Sequence, residues 1–253
     1  MVSEAIDGKR LFEQELWDEA YPLLTKEASV ERTPGLATLY LAVIEASRQQ
    51  NAGLLRDVME KVSPDVDKAS LLQVVGTALY DMGHTEEGVA LLEKGAADYG
   101  SAYCMASLAS RLYQADGGLD RAGELYEELQ YRKGYENDAL VNLAGINIER
   151  GQAKEAEKKL RQVLGASPKH MAAHYELGNA LAMQGMFGRG LEHYRVAAEG
   201  NYWRPACAWA GVAYCHMRLG HKREAIAAAR KSLEIDPDYE YAKGVLEDAE
   251  NLS

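Results

Sequence analysis

The amino-acid sequence predicts an all-α fold, a right-handed α-solenoid of about seven stacked helix-turn-helix repeats followed by a C-terminal capping helix. First, shifting the chain by about 34 residues brings small residues onto small ones, bulky apolar residues onto bulky apolar ones, and turn residues onto turn residues. Second, apolar side chains recur with helical spacing on both sides of each turn. Third, the 253 residues include 15 Tyr and only 2 Phe. Tyrosine, with an apolar ring and a polar hydroxyl, suits layers between stacked helices better than one closed core.

The clearest repeat covers residues 206–237. It places Trp209, Gly220 and Ala225 at the spacings of two helices joined by a tight turn, and Pro237 closes it. When the upstream sequence is laid over this repeat, further repeats begin near residues 1, 35, 69, 103, 137 and 171, in addition to the one at 206. We therefore expect a single repeat domain over residues 1–253, with a capping helix at 239–251.

The first two repeats are degenerate. Polar residues such as Asp7 stand in apolar columns of the first repeat, as expected of an end repeat that has a neighbour on one side only. In the second repeat, Glu45 and Lys61 occupy columns that hold apolar or small residues elsewhere. Pro34-Gly35 marks its beginning, because this pair interrupts helices.

From Ala69 onward the repeats keep one register. A glycine is expected to end each first helix, because a left-handed backbone is least costly there for glycine; these residues are Gly83, Gly117, Gly151, Gly185 and Gly220. Two further columns hold only small residues, so the two helices of each repeat are expected to cross closely there. They are Gly76, Ser110, Ala144, Gly178 and Ala213, and Gly88, Ala122, Ala156, Gly190 and Ala225. After the last repeat, Asp238 is expected to cap the final helix.

This pattern, with Trp209 first, Gly220 at the turn and Pro237 last, resembles the tetratricopeptide repeat. The sequence departs from that family at His216, where Tyr is usual, and at Ala229, where an aromatic residue is usual. The resemblance extends over nearly the whole chain. Residues 197–211 also resemble the junction of Sel-type repeats, which are helical hairpins too. The resemblance implies a non-catalytic protein that binds another protein.

The charge and the apolar content of the sequence limit the classes of partner that we expect. The net charge of −11 disfavours nucleic acid, whose phosphates require a basic surface, and makes a basic peptide an electrostatically easier partner. The sequence contains no apolar run of the roughly 20 residues needed to span a bilayer, so we expect no membrane insertion. The segment Met1 to Arg10 has no signal-peptide core, which favours a cytoplasmic location. Cys104, Cys207 and Cys215 lie in helical patterns and are expected to be buried, reduced thiols.

The sequence contains few residues in the patterns of metal-binding, catalytic or phosphate-binding sites. His170 and His174 are four positions apart, but His170 follows Pro168-Lys169 and is expected to precede the helix, so we expect no metal site. Cys215 and His216 are adjacent, yet no third residue is identified that would orient a catalytic pair. A phosphate-binding glycine loop is absent from the sequence. We therefore expect neither enzymatic activity nor a cofactor.

The site is expected on the surface formed by the first helix of each repeat. Stacked hairpins form a concave groove on that side. By resemblance to the family, the peptide-binding residues are Phe12, Thr77, Tyr80, Arg111, Ile148, Tyr175, Asn179, Met183, Tyr214, Met217 and Arg218. The same columns also include Val43, Gln73, Ser107, Gln114 and Val141.

Two functions remain open. The first is a scaffold that binds a peptide or amphipathic helix in this groove, since aromatic and Met side chains provide good contact area. The alternative is a self-associating structural scaffold, a homo-oligomer without a peptide-binding groove. One tetratricopeptide subfamily holds the acidic tails of heat-shock chaperones through a clamp of Lys, Asn and Arg. Asn179 and Arg218 alone do not form this clamp, so we expect no such binding.

Overall fold

The computed structural model describes residues 9, 12, 16–31 and 34–252, and all regular secondary structure in this part of the chain is helical. This confirms the all-α prediction. In the N-terminal part the helices are α1 Trp17–Ala28, α2 Leu36–Gln49, α3 Gly53–Lys61, α4 Lys68–Asp81, α5 Thr85–Tyr99, α6 Ala102–Gln114 and α7 Leu119–Leu129. They are followed by α8 Glu136–Glu149, α9 Ala153–Ala166, α10 Met171–Met183, α11 Phe187–Glu199, α12 Pro205–Arg218, α13 Lys222–Ile235 and α14 Glu240–Glu250.

Six first helices, α2, α4, α6, α8, α10 and α12, begin at 36, 68, 102, 136, 171 and 205. Each starts within one residue of an expected repeat start. The first helix of the first repeat is expected before residue 16, and most of that segment lies outside the described residues. Of it, Lys9 and Phe12 are described, and both are helical.

The turn glycines adopt the backbone that their position predicted. Gly83, Gly117, Gly151, Gly185 and Gly220 have φ values of 87°, 77°, 74°, 74° and 75°, all in the left-handed region. This conformation lets the chain leave the first helix and begin the second within a few residues.

Two pairs from the columns of small residues lie where paired helices approach each other closely. A Cβ atom added to Gly88 of α5 would lie 2.6 Å from the carbonyl oxygen of Gly76 in α4 and 2.7 Å from the backbone nitrogen of Tyr80. A Cβ atom on Gly190 of α11 would lie 3.1 Å from the carbonyl oxygen of Gly178 in α10. The predicted close crossing is confirmed at both pairs.

The chain divides into two compact units, residues 1–125 and residues 126–253, with the boundary inside α7. The N-terminal unit has a core that includes the fully buried Leu39, Ile44 and Leu79. The C-terminal unit contains one cluster around Leu160 and Leu181 and a second around Tyr194 and Val212. That the whole chain forms one repeat domain stays a prediction.

The capping helix differs from its prediction in one detail. Tyr239, rather than Asp238, is the N-cap residue of α14, and it makes no side-chain cap hydrogen bond. The backbone N–H of Asp238 instead donates to Oδ1 of Asp236 at 3.1 Å, which forms a turn before the helix. The helix therefore begins one residue later than its sequence indicates.

Cys104, Cys207 and Cys215 are all buried free thiols, as the sequence predicts. Within the described residues, no helix combines the length and apolar character that crossing a membrane would require.

Candidate functional site

A pocket in the N-terminal unit collects several of the expected binding residues. Its volume is about 290 Å³, and we call it the N-terminal pocket. The lining residues are Phe12, Trp17, Tyr40, Val43, Ser47, Gln73, Val74, Thr77, Ala78, Asp81 and Arg111. Phe12, Thr77 and Arg111 were predicted as binding residues, whereas Trp17 and Tyr40 were missed because they lie outside the columns carried over from the family.

Aromatic rings form one wall of the N-terminal pocket. The ring of Phe12 lies 4.5 Å from that of Tyr40, tilted by 39°, and 6.2 Å from that of Trp17, nearly parallel at 12°. Offset and tilted contacts of this kind are favourable between aromatic rings. The three rings therefore form a continuous apolar surface.

An ion pair lies at the polar side of the pocket. Nε and Nη2 of Arg111 donate to the two carboxylate oxygens of Asp81 at 3.0 and 2.7 Å. Nη1 of Arg111 donates to the carbonyl oxygen of Ser107 at 3.4 Å. The predicted binding residue Tyr80 lies beside the pocket and supports Arg111: its hydroxyl donates to the carbonyl oxygen of Arg111 at 3.3 Å, and its ring lies 5.9 Å from the guanidinium. The charges of Arg111 and Asp81 therefore largely neutralise each other.

One polar atom of the N-terminal pocket is unsatisfied. Oγ1 of Thr77 is buried and has no hydrogen-bond partner among the described residues. Its neighbour one helical turn earlier, Gln73, donates from Nε2 to Oγ of Ser107 at 3.1 Å and so is engaged elsewhere. A buried hydroxyl without a partner is unfavourable, so this atom lowers the stability of the fold at this position.

In the C-terminal unit, aromatic and basic side chains meet on α11, α12 and α14. Nη1 of Arg218 donates to the hydroxyl of Tyr214 at 2.6 Å, and the guanidinium lies 4.4 Å from the ring centre of Phe187. The ring of Tyr214 contacts Phe187 edge-on at 6.0 Å and Tyr241 at 6.5 Å. With the partly buried Met217, these residues form what we call the C-terminal aromatic surface.

Met183 is the most exposed apolar residue of the predicted set in this unit. Half of its side chain, 51%, is accessible to solvent. Met186, the residue immediately before α11, is 39% exposed. Ile148, by contrast, is partly buried against the cluster around Leu160. The sequence did not single out Phe187 or Tyr241, although alternating aromatic and basic residues near α12 offered a signal.

Tyr175 and Asn179, both predicted to contact a partner, belong to an internal network. The ring of Tyr175 stacks on Tyr202 at 5.1 Å and 23°, and burial raises its pKa to about 12. Asn179 accepts a hydrogen bond from the hydroxyl of Tyr194 and donates one from Nδ2 to Oε2 of Glu176 at 3.0 Å. Burial raises the pKa of the Glu176 carboxyl. The side chains of Tyr175 and Asn179 are therefore engaged by other residues of the C-terminal unit.

His170 and His174, the pair considered as metal ligands, have structural partners. Nδ1 of His170 accepts from the backbone N–H of Ala173 at 3.2 Å, so His170 precedes and caps α10 as expected. Nδ1 of His174 lies 2.9 Å from Nδ1 of His193, and its Nε2 lies 3.0 Å from the carbonyl oxygen of Pro168. Because that carbonyl can only accept, Nε2 of His174 carries the hydrogen. Among the described residues, no group of three or more His, Cys, Asp or Glu is arranged to hold a metal ion.

Cys215 and His216 lie in different environments. Cys215 is fully buried, and desolvation raises the pKa of its thiol to about 12. At neutral pH it therefore remains a thiol, which is a weak nucleophile. Nδ1 of His216 lies 3.3 Å from Nδ1 of His221 instead.

Paired helices with tight glycine turns and surface clusters of aromatic, Met and Arg side chains define a helical-repeat protein. Residues 146–206 and 206–239 each match a tetratricopeptide repeat model. Residues 146–239, all in the C-terminal unit, therefore contain tetratricopeptide repeats. Such repeats are generally modules that bind other proteins. The Sel-type character of residues 197–211 stays a prediction.

Known proteins with similar structures share this fold. The C-terminal part of a tetratricopeptide repeat-containing protein from Cytophaga hutchinsonii matches with a TM-score of 0.56 and 17% identity, over 94% of this chain and 98% of that one. Residues 41 to the end of MamA from Desulfovibrio magneticus RS-1 match with a TM-score of 0.55 and 19% identity, over 68% and 97%. YrrB, described as a tetratricopeptide protein with an unusual peptide-binding site, matches with a TM-score of 0.51 and 19% identity, over 78% and 99%.

One curated sequence relative is Hsp70-Hsp90 organizing protein 1 of Glycine max. It is 32% identical to this chain over 88 residues, which is 35% of this chain. The match spans only 15% of the relative's length.

Proposed function

We propose that the protein binds a peptide or a short helix of a partner protein on the C-terminal aromatic surface together with Met183. The observation that carries this proposal is the position of Arg218, which is exposed and yet is held by Tyr214 at 2.6 Å and lies over the ring of Phe187 at 4.4 Å. A long side chain fixed in this way loses little conformational entropy when it binds a partner.

The composition of this surface fits a peptide ligand. Tyr and Arg are enriched among residues that dominate binding energies, and Met adapts its shape to different side chains. Met183 on α10 and Met217 on α12 place two such side chains on successive first helices. YrrB, whose fold this chain shares, is described as having a peptide-binding site, which supports the same class of ligand here.

The charge of the chain favours peptides with basic flanks. The net charge of −11 attracts positively charged polypeptides over distances of about 10 Å at moderate salt. The guanidinium of Arg218 only donates hydrogen bonds, so the peptide should supply an acceptor at this point, such as a backbone carbonyl or a single carboxylate. We therefore expect apolar peptides that carry Lys or Arg outside the part in contact with Arg218.

The test is selection of peptides from a phage-displayed random library on the immobilised full-length chain. Enriched peptides are then titrated by fluorescence anisotropy against wild-type protein and the Met183→Ala, Arg218→Ala and Tyr214→Phe variants. Each variant is expected to weaken binding about tenfold, since residues at the centre of an interface commonly contribute this much.

Ile235→Ala is the matched control, because Ile235 on the second helix α13 exposes 47% of its side chain, close to the 51% of Met183. This change is expected to leave the affinity unaltered. Failure to enrich any peptide, or equal binding by all four variants, would exclude this surface as the binding site. Light scattering on the same samples tests whether the protein self-associates instead.

A further inference from the structure

We propose that Glu176 receives the side chain of a Lys or Arg residue of the peptide that binds on the C-terminal aromatic surface. This inference rests on the proposed function and adds to it the position of one basic residue in the ligand. Three observations carry it: the place of Glu176 on α10, the state of its carboxylate oxygens, and the charges around it.

Glu176 shares a face of α10 with Met183. Residues 176, 179 and 183 are spaced by three and four positions and so follow one another along one side of the helix. Met183 exposes 51% of its side chain, which shows that this side borders solvent. Seven residues of α-helix span about 10 Å. The carboxylate therefore lies beside the surface on which the peptide is proposed to bind.

The carboxylate of Glu176 is only half satisfied. Its Oε2 accepts from Nδ2 of Asn179 at 3.0 Å, and its Oε1 has no hydrogen-bond partner among the described residues. Oε1 is nevertheless not sealed from solvent. In the described part of the chain, Oγ1 of Thr77 is the only polar side-chain atom that is both enclosed and without a partner. One carboxylate oxygen is thus within reach of a donor from outside the fold.

Among the described residues, no Lys, Arg or His forms an ion pair with Glu176. The guanidinium of Arg204, the N-cap residue of α12, is near enough to favour the ionised form, but it lies over the ring of Trp203 at 5.2 Å. Toward α8 the neighbouring charge is that of Glu149, an exposed carboxylate of the same sign. Burial, aided by Glu149, raises the pKa of Glu176.

A bound cation would offset the cost of this charge. Taking a carboxylate out of water is unfavourable, and folding has already done so for much of Glu176. An ammonium or guanidinium group therefore meets a carboxylate that needs little further desolvation, in surroundings where opposite charges attract more strongly than in water. The exposed Glu149 adds to this attraction. A neutral side chain would gain neither contribution, and an acidic one would be repelled.

The separation of Glu176 and Met183 sets the position of the basic residue in the peptide. An extended chain advances about 3.3 Å per residue, so about 10 Å corresponds to about three residues. In a helical peptide the same distance corresponds to about seven residues. We expect Lys or Arg at one of these spacings from the apolar residue that contacts Met183.

The experiment repeats the phage selection in parallel on the wild-type chain, on Glu176→Gln and on Glu155→Gln. Gln keeps the size of Glu176 and an acceptor for Asn179 while removing the charge. Glu155, an exposed carboxylate on the second helix α9, is the matched control for net charge. We expect Lys or Arg at one fixed position in peptides from the wild type and the control, and no such preference in peptides from Glu176→Gln.

A synthetic peptide of the enriched sequence is then compared with the same peptide carrying norleucine, a neutral side chain of similar length, in place of the basic residue. By fluorescence anisotropy, the basic peptide should bind about tenfold tighter to the wild type and to Glu155→Gln, as expected for a hydrogen bond between charged groups. Glu176→Gln should bind both peptides equally.

A carboxyl titration separates contact with the cation from a structural role of Glu176. Carbon-13 NMR of labelled Glu side chains follows the Glu176 carboxyl with and without peptide. The basic peptide should lower the pKa of this carboxyl, because a nearby cation favours the ionised form, and the norleucine peptide should not. As pH falls, the free protein then takes up a proton at Glu176 before the complex does. The affinity for the basic peptide should therefore decrease on acidification.

The results distinguish this proposal from the proposed function. Peptides that depend on Met183 and Arg218 but show no basic preference would overturn the assignment of Glu176 and leave the peptide surface intact. Equal losses of affinity for the basic and the norleucine peptide in Glu176→Gln would overturn it as well. If no peptide enriches on the wild type, the proposed function fails and this proposal fails with it. Should Glu176→Gln not fold, the peptide comparison and the carboxyl titration on the wild-type chain decide the question.

Discussion

The hydroxyl of Tyr194 donates a hydrogen bond to Oδ1 of Asn179 at 2.5 Å and so joins α11 to α10. The Tyr194 ring lies between two glycines, because a Cβ atom on Gly178 or Gly211 would come within 2.7 or 2.6 Å of it. Three consecutive helices of the C-terminal unit therefore pack around one side chain. A residue from a column that other family members use for ligands, Asn179, serves here to orient this ring.

Removal of that hydroxyl tests its contribution to stability. We expect Tyr194→Phe to lower the free energy of unfolding by about 1–2 kcal/mol, because Asn179 loses its donor in a largely buried position. Urea unfolding followed by circular dichroism measures the change. Tyr131→Phe is the control: Tyr131 is 82% exposed, and its variant should differ from wild type by less than about 0.5 kcal/mol. Equal stability of Tyr194→Phe and wild type would show that the bond contributes nothing.

Gly88, at the crossing of α4 and α5, provides a second test of stability. Gly88→Ala places a Cβ atom 2.6 Å from a backbone oxygen and 2.7 Å from a backbone nitrogen of α4, and neither can move without separating the helices. We expect a loss of about 1–3 kcal/mol or more.

The contrasting variant is Gly188→Ala on α11, where an added Cβ atom has no neighbour within 4 Å. It should raise stability by about 0.5–1 kcal/mol, since alanine restricts the unfolded chain. Thermal unfolding of both variants decides the matter. Similar effects of the two changes would mean that the crossing of α4 and α5 is looser than the structure shows.

Stability should also fall in mildly acidic solution. Burial, aided by the neighbouring His174, holds the pKa of His193 below 6.5, and burial with His221 lowers that of His216 in the same way. As pH falls through about 6.5, the unfolded chain takes up protons at these positions before the folded one does, so the free energy of unfolding decreases. Urea unfolding at a series of pH values from neutral to acidic measures this slope.

The double variant His193→Gln, His216→Gln isolates the histidine contribution. Gln does not titrate, so the loss of stability over the same pH range should be smaller than in wild type. Identical slopes in both proteins would assign the acid sensitivity to other groups, such as carboxylates.

Acidic chaperone tails should not be ligands of this protein. Of the residues expected in such a clamp, the matching positions retain only Asn179 and Arg218; Asn179 is engaged by Tyr194 and Glu176, and Arg218 by Tyr214. Isothermal titration with the acidic C-terminal tail peptide of a heat-shock chaperone is therefore expected to give no micromolar binding. Micromolar affinity that disappears in Arg218→Ala would refute this expectation.

The helical-repeat fold could be predicted because the residues that specify each hairpin lie close together in the sequence. The turn glycine and the small residues at a helix crossing recur at intervals of about 34 residues. A repeat of that length specifies one hairpin and its contact with the next. Gly83 and Gly220, far apart in sequence, thus share the same left-handed backbone, with φ values of 87° and 75°.

Sequence patterns alone determined that the chain consists of helical hairpins, where each hairpin turns, and which side chains lie on its first helices. Only the tertiary structure decided which of those side chains remain available to a ligand. Arg218 remains exposed at the surface, whereas Asn179 is engaged by Tyr194. The physical reason is that periodicity fixes the direction of a side chain, but its partners come from neighbouring helices, whose contacts depend on the packing of individual rings.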